Sequence, residues 1–205
     1  MHVYPSEFGG VNAPDVRAAI ARFPVAVVDM GHTHYNELGN DGHTIYMATR
    51  STGQIEERPV GFSIATIDRG VVSWKFNELG HWPFVKIISP ADGKLVIDPT
   101  SRDQVVRGNV EIRARVWGGG ERTVVSAQID DGYSEPMTSV EHTNLYRLAW
   151  PSTSVADGQH RVTVRAVTQN GPGSDTVVVL CSQSGTYNAL KRADRDLDNA
   201  LDEYP

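Results

Sequence analysis

VEIRARVW, the stretch from Val110 to Trp117, decides the fold of the second half of the chain. Apolar and polar residues alternate along it, and the same alternation returns from His160 to Val167. A period of two is typical of a strand that buries one face. Turn-forming glycine and aspartate residues separate about seven such strands, as many as a two-sheet sandwich requires. The sequence therefore predicts an all-β sandwich for this part of the chain.

Towards the N-terminus the pattern predicts a strand, a helix and a second strand. They cover His2–Tyr4, Pro14–Phe23 and Val25–Asp29. Elements in this order form a crossover between parallel strands. Ligands of such folds bind beyond the carboxyl ends of the strands. The connection from Gly31 to His34 begins at that end of the second strand, so we expect a functional site there.

Short strands separated by turn residues follow, and we expect them to form a mainly antiparallel sheet. The predicted strands are Thr44–Thr49, Val60–Ile67, Val71–Phe76 and Phe84–Ile88. Proline, aspartate and glycine then concentrate around one short predicted strand, Lys94–Ile97.

These patterns predict three parts. The first is a domain over residues 1–90, and the second is the sandwich over residues 91–183. The third is an acidic tail over residues 184–205, either an amphipathic helix or a frayed end.

The composition excludes several classes of partner. The 205 residues carry a formal net charge of −6, and no cluster of lysine or arginine suits a phosphate backbone. No apolar run approaches the roughly 20 residues of a membrane span, and the first residues do not resemble a signal peptide. We therefore expect no nucleic acid or membrane as partner, and a cytoplasmic location. The single cysteine, Cys181, follows the apolar run Val177–Leu180 and is predicted to be a small core residue.

Two histidines, His32 and His34, stand two residues apart in the connection after the second predicted strand. Side chains at this spacing point to one side of an extended chain, so both imidazoles can reach one metal ion. Histidine pairs of this spacing also arise by chance or as hydrogen-bonded surface residues. The pair alone leaves metal binding and a structural role open.

The residues around this pair resemble a known signature. The stretch from Val27 to Leu38 is similar to the Gly-His-x-His signature of calcineurin-like metallophosphoesterases, and Ala48–Gly53 is similar to part of that family's second sheet. The resemblance implies that His2 and His32 bind one divalent metal ion, Zn, Mn or Fe, and that His34 binds a second. It also implies that the metal-bound water attacks an ester.

The resemblance covers residues 1 to about 88, and it implies that they correspond to the carboxyl-terminal half of that family's domain. Gly-Asp and Gly-Asn-His motifs of the family's amino-terminal half are absent, so the resemblance implies a truncated chain with an incomplete metal site. Residues 91–183 are similar to bacterial immunoglobulin-like domains through Gly108–Val110, Ile129–Gly132 and Asp157–His160. That second resemblance implies a fold and no chemistry.

Four further residues near the histidine pair are candidates for supporting the metal ligands or contacting the substrate. Asp29 is a candidate acceptor for a ligand imidazole, and Asn36 and Glu37 are candidate oxygen ligands. Arg50 is a candidate for contact with an anionic substrate. A turn or surface role is open for each of them. Weak calcium binding is also open in the tail, where three aspartates alternate without the full pattern of an EF-hand: Asp194, Asp196 and Asp198.

Together these patterns predict the α+β class, with a partial metallophosphoesterase-like α/β sandwich followed by an all-β immunoglobulin-like sandwich. The predicted function is metal-dependent hydrolysis of a small-molecule ester, with His2, His32 and His34 as metal ligands and no residue assigned a catalytic role. Carboxylic ester or lactone cleavage is an alternative. A non-catalytic binding or scaffold role is an alternative from another class. The exposed edge of a partial domain predicts a homodimer or another partner.

Overall fold

The computed structural model describes residues 12–31, 34–50 and 59–185. These residues contain one α-helix and fourteen strands. The elements are α1 (Ala13–Arg22), β1 (Val27–Met30), β2 (Glu37–Asn40), β3 (Ile45–Ala48), β4 (Gly61–Asp68), β5 (Val71–Glu78), β6 (Phe84–Ser89), β7 (Val105–Val106), β8 (Asn109–Trp117), β9 (Val124–Ile129), β10 (Glu135–Pro136), β11 (Thr138–Ser139), β12 (Leu145–Pro151), β13 (Gly158–Thr168) and β14 (Gly171–Cys181). Short 3₁₀ helices cover Gly93–Leu95 and Ser152–Ser154. Within the described ranges, no helix is long and apolar enough to cross a bilayer.

The described residues divide into two compact units. The first unit contains α1, β1, β2, β3 and the base of the β4–β5 hairpin. The second unit contains the tip of that hairpin, Ala65–Ser73, and the described residues from 80 to 185. The hairpin turns at Arg69 and Gly70, whose φ angles of 51° and 81° suit a two-residue turn between twisted strands.

In the first unit, α1 and a three-stranded sheet share a small core. Pro14 stands in the first helical turn and Arg22 in the last, positions that favour a helix. Strand β3 lies in the centre of the sheet, parallel to β1 and antiparallel to β2. Ile20 of α1 packs with Val28 against the buried side chains of the sheet: Met30, Tyr46 and Ala48.

In the second unit, two sheets pack face to face. The four-stranded sheet has the order β11-β12-β8-β6, and the five-stranded sheet has the order β10-β9-β13-β14-β7. Alternation in β8 buries Val110, Ile112, Ala114 and Val116, while the residues between them face outward. Strands of both sheets contribute to the same apolar core, so burial of one face of each sheet stabilises this unit.

The tip of the β4–β5 hairpin covers the outer face of the four-stranded sheet. Lys86 of β6 is only 1% exposed there, and its Nζ donates to Thr66 Oγ1 at 2.9 Å and to Ser73 Oγ. Beside it, Arg113 Nη1 lies 3.1 Å from Asp68 Oδ2. Strand β6 is therefore buried on both faces, which explains its nearly continuous apolar sequence.

The predicted α+β class, with a metallophosphoesterase-like α/β sandwich, is wrong. The described residues are mostly β and have one helix against three short strands in the first unit. The α/β prediction required a first strand at His2–Tyr4, which lies outside the described residues. It also placed Phe84–Ile88 in the sheet of the first domain, whereas β6 pairs with β8, with Val85 opposite Val116.

Candidate functional site

The predicted metal ligands are described only in part. His2 and His32 lie outside the described residues. His34 is half-buried and has a φ of 64°, in the left-handed region that few non-glycine residues adopt. The three-histidine site therefore stays a prediction.

The parallel pairing of β1 and β3 defines one edge of the three-stranded sheet. Met30 and Ala48 are the last partners in the register, so both strands end at this edge. Strand β2 begins here as well, because Glu37 lies opposite Ala48 in the antiparallel pair. We call this place the carboxyl edge, and it contains Gly31, His34, Asn36, Glu37 and Arg50.

Asn36 joins two connections at the carboxyl edge. Its side chain is buried, with 3% of the residue exposed, and its Oδ1 accepts a hydrogen bond from the Arg50 N–H at 3.0 Å. Its Nδ2 has no hydrogen-bond partner among the described residues. The bond holds the chain before β2 against the chain after β3.

Arg50 places a guanidinium group at the same edge. The group lies over the Phe76 ring, 4.3 Å from the ring centre, and Nη1 donates to Pro59 O at 3.3 Å. Stacking on an aromatic ring and a hydrogen bond to a carbonyl both restrict a side chain that is otherwise flexible. Arg50 is therefore a fixed positive charge.

The other two candidates, Asp29 and Glu37, occupy different positions. Asp29 is exposed on β1, opposite Met47 and one residue before the end of the strand. Glu37 is half-buried at the first position of β2. The carboxyl edge thus brings together His34, Asn36, Glu37 and Arg50, and Asp29 lies one residue further back on β1.

No group of three or more His, Cys, Asp or Glu side chains suited to a metal ion occurs within residues 12–31, 34–50 and 59–185. The sequence reasoning missed the contacts of Arg50 with Asn36 and Phe76. Neither contact joins residues at a helical or strand spacing, so no local sequence pattern predicts it.

The side chains of Tyr46 and Asp41 interact at the opposite edge of the same sheet. Asp41 Oδ1 accepts hydrogen bonds from the N–H groups of His43 and Thr44, at 2.8 Å and 2.7 Å, and shapes the turn before β3. Burial, the charge of Asp41 and a 3.3 Å hydrogen bond to its Oδ2 raise the pKa of Tyr46 to about 12. The Tyr46 hydroxyl therefore stays protonated at neutral pH and donates its hydrogen bond to Asp41.

A shallow depression of about 420 Å³ lies in the second unit, lined by Pro99, Thr100, Arg107, Ser184 and Gly185. Arg107, the charged residue of this lining, donates from Nη2 to Thr100 O at 2.5 Å. The depression is open to solvent and its arginine is engaged with the chain itself. It offers no arrangement for chemistry.

No family model and no curated protein matches the chain. Solved structures with a partial likeness include an engineered protein, with 22% identity, a TM-score of 0.38, and coverage of 49% of this chain and 20% of its own. An endo-β-1,4-mannanase from Thermotoga petrophila has 14% identity and a TM-score of 0.40, over 89% of this chain and 47% of its own. A double mutant of a Cellulomonas fimi endo-β-1,4-mannanase has 20% identity and a TM-score of 0.34, over 49% of this chain and 18% of its own. This chain thus spans less than half the length of each of the three, and likenesses of this size carry no argument about activity.

The assignment to calcineurin-like metallophosphoesterases fused to an immunoglobulin-like domain is wrong. The described residues are mostly β, and no model of that family or of any other matches the chain. The assignment depended on a four-residue signature and its strand-like flanks, and short motifs of this kind recur in unrelated folds.

Proposed function

We propose that the first unit carries a metal-dependent hydrolase site for ester bonds at the carboxyl edge. The observation that supports this proposal is the register of β1 and β3, in which Met30 lies opposite Ala48, so that both strands end at the edge that contains Gly31 and Arg50. Asn36 joins these two connections. Ligands of sheets with parallel strands commonly bind at such an edge.

The residues proposed for this site have different roles. His34, with His32 two positions before it and His2 near the N-terminus, supplies imidazole nitrogen, which suits Zn, Mn and Fe. When bound, such an ion would activate a water molecule and polarise the ester. Arg50 stabilises the negative charge that develops on the substrate oxygen. Asn36 positions Arg50 through its backbone.

Metal content and ester hydrolysis of the purified full chain test the proposal. We expect one equivalent of Zn or Mn by mass spectrometry after loading and dialysis. We expect hydrolysis to stop on chelation and to return on adding the metal back. His32→Ala and His34→Ala each lower metal content and activity by more than about tenfold, since loss of even a supporting residue costs that much.

His43→Ala is the matched control, because His43 lies in the turn at the opposite edge of the same sheet. It leaves metal content and activity unchanged. A nitrophenyl phosphodiester, a nitrophenyl acetate and a γ-lactone distinguish the substrate classes. Activity that survives both His32→Ala and His34→Ala, or a chain that holds no metal, contradicts the proposal.

A non-catalytic binding role is the second candidate, and the sheet of the first unit favours it. Within the described residues, β1 and β2 each pair with β3 alone, so each leaves one edge without a strand partner. Such edges recruit a second chain. Sedimentation equilibrium tests this candidate: a homodimer supports it, and a monomer at high protein concentration contradicts it.

A further inference from the structure

His160 connects three segments at one end of the second unit. Its own position is in β13. Its Nδ1 lies 2.7 Å from Oδ2 of Asp130, in the turn after β9, and its Nε2 lies 2.8 Å from the carbonyl oxygen of Ala156. Ala156 belongs to the connection between β12 and β13. One imidazole therefore joins a turn, a connection and a strand.

The two contacts of this ring require two protons. A carboxylate oxygen and a carbonyl oxygen are both acceptors, so each ring nitrogen must donate. The neutral imidazole carries one N–H, and its other nitrogen would then direct a lone pair at an oxygen. The geometry thus selects the imidazolium form of His160.

Asp130 is held in place by β13. Its Oδ1 accepts from the Arg161 N–H at 2.8 Å, and its own N–H donates to Arg161 O at 2.7 Å. Its φ of 48° is one that aspartate and asparagine tolerate better than most residues. The contacts with Arg161 therefore fix the position of the Asp130 carboxylate independently of His160.

Four other ionisable groups surround the pair. Arg161 Nη2 lies 3.2 Å from Asp131 Oδ1, so these two charges are paired with each other. Asp157, in the connection before β13, accepts from the Gln183 N–H at 2.8 Å. The buried thiol of Cys181 on β14 is close enough to feel the charges of Asp130 and Asp157.

We propose that His160 is a pH-operated latch, which holds Ala156 and the residues beside it against β13 while the imidazole is charged and releases them when it loses a proton. The bond to Asp130 is charge-assisted and stronger than the bond to a neutral carbonyl. The remaining proton therefore stays on Nδ1, and the contact with Ala156 is lost. Val155 packs against the apolar core, and the residue after it is then no longer held by His160.

The protonation equilibria of the pair agree with this geometry. Burial lowers the pKa of His160, but hydrogen bonds to Asp130 and Ala156 and the charge of Asp130 outweigh it and raise the pKa above 6.5. Burial likewise opposes the shift of Asp130, and hydrogen bonds from His160 and Arg161 with their charges lower its pKa below 3.8.

The sign of the pH dependence follows from these directions. The contribution of His160 to stability is complete below pH 6.5 and is lost as the pH rises through the higher pKa of the folded state. The contribution of Asp130 is complete above pH 3.8 and is lost as the pH falls through its lower folded pKa. The latch is therefore closed below pH 6.5 and opens as the pH rises through the higher pKa of the folded His160.

NMR of the full chain tests the latch. We expect the His160 ring to titrate above pH 6.5. The Val155 N–H donates to Ser152 O and the Gln183 N–H donates to Asp157 Oδ1, and we expect the protection factors of these two amides to fall at least tenfold with the same midpoint. Protection factors already remove the intrinsic pH dependence of exchange. Asp130→Asn keeps the shape and the backbone hydrogen bond but removes the charge, and we expect it to move the midpoint down by about 1 pH unit.

Asp131→Asn is the matched control, because it removes an equal charge from the adjacent exposed residue. We expect it to leave the midpoint unchanged. His160→Gln abolishes the transition in the folded protein. The latch is refuted if the Val155 and Gln183 amides keep their protection through the ring titration, if the two aspartate variants shift the midpoint equally, or if the transition survives in His160→Gln.

Discussion

Burial of Cys181 can be predicted from the residues that precede it in the sequence. The apolar run before it predicts a small core residue, and the structure confirms this, with 4% of the residue exposed. Burial first, and then the charges of Asp130 and Asp157, raise the pKa of the thiol to about 11. Only the thiolate is a good nucleophile, so Cys181 is unreactive in the folded chain at neutral pH.

We expect Cys181 to react with a thiol-specific chromogenic reagent at pH 8 only as fast as the chain unfolds. In denaturant, one thiol per chain should react within the mixing time. Ser134→Cys adds an exposed thiol and serves as the control for reagent access. Rapid labelling of the native chain without this added cysteine would contradict the burial of the thiol.

At the candidate site, the sequence predicts residues but not their contacts. A strand directly before Gly31 is confirmed, since β1 ends at Met30. The bond from the Arg50 N–H to Asn36 joins residues that are 14 apart in sequence, and it depends on strand pairing. Local spacing contains no information about such a contact.

Among the elements, regular alternation is the reliable signal. It predicts strands at Val110–Trp117 and His160–Val167, and the structure has β8 and β13 there. The predicted strand at Lys94–Ile97 is wrong, because a 3₁₀ helix covers Gly93–Leu95. Asp92 Oδ1 accepts from the Lys94 N–H at 2.9 Å, and this local bond favours a helical turn over a strand.

The β4–β5 hairpin has a glycine at the start of β4, where a side chain would collide with β5. A Cβ at Gly61 would lie 2.1 Å from Asn77 O and 2.3 Å from a ring carbon of Phe76. We expect Gly61→Ala to lower the free energy of unfolding by about 1–3 kcal/mol, since the hairpin must shift to admit the methyl group. Urea unfolding measures the loss.

Gly31→Ala is the control for this substitution, because no atom lies within 4 Å of a Cβ built at Gly31. We expect its effect to stay within about 0.5 kcal/mol. Equal stability of the Gly61→Ala variant and the unchanged chain would show that the hairpin has room for a side chain.

For the whole molecule, the sequence predicts strands better than it predicts their partners. A strand at Phe84–Ile88 is confirmed as β6, but its pairing with β8 is not a local property. Lys86 illustrates the difficulty: a lysine in a strand indicates a solvent-facing side, yet the hairpin tip buries it. Burial of a strand by residues distant in sequence determines the architecture, and local sequence patterns do not predict it.

One carboxylate links the two sheets of the second unit. Asp175 Oδ2, on β14, accepts from the Ile87 N–H of β6 at 2.6 Å. Ile87 is buried, so Asp175→Ala leaves its N–H without an acceptor and costs about 1–3 kcal/mol of unfolding free energy. Asp175→Asn keeps an acceptor oxygen and should cost less than half as much. Thermal and urea unfolding compare the two variants, and equal losses would exclude the hydrogen bond as the cause.

The division of the β4–β5 hairpin between the two units has a consequence for truncation. Each unit is assembled from separate stretches of chain, so no single cut yields both of them whole. A fragment that starts at residue 91 would lack β6 and the hairpin tip beside Arg113. Strand β8 would then lose β6, one of its two neighbouring strands. Limited proteolysis followed by expression of the surviving piece would therefore favour fragments that begin before Ala65 over fragments that begin after Pro90.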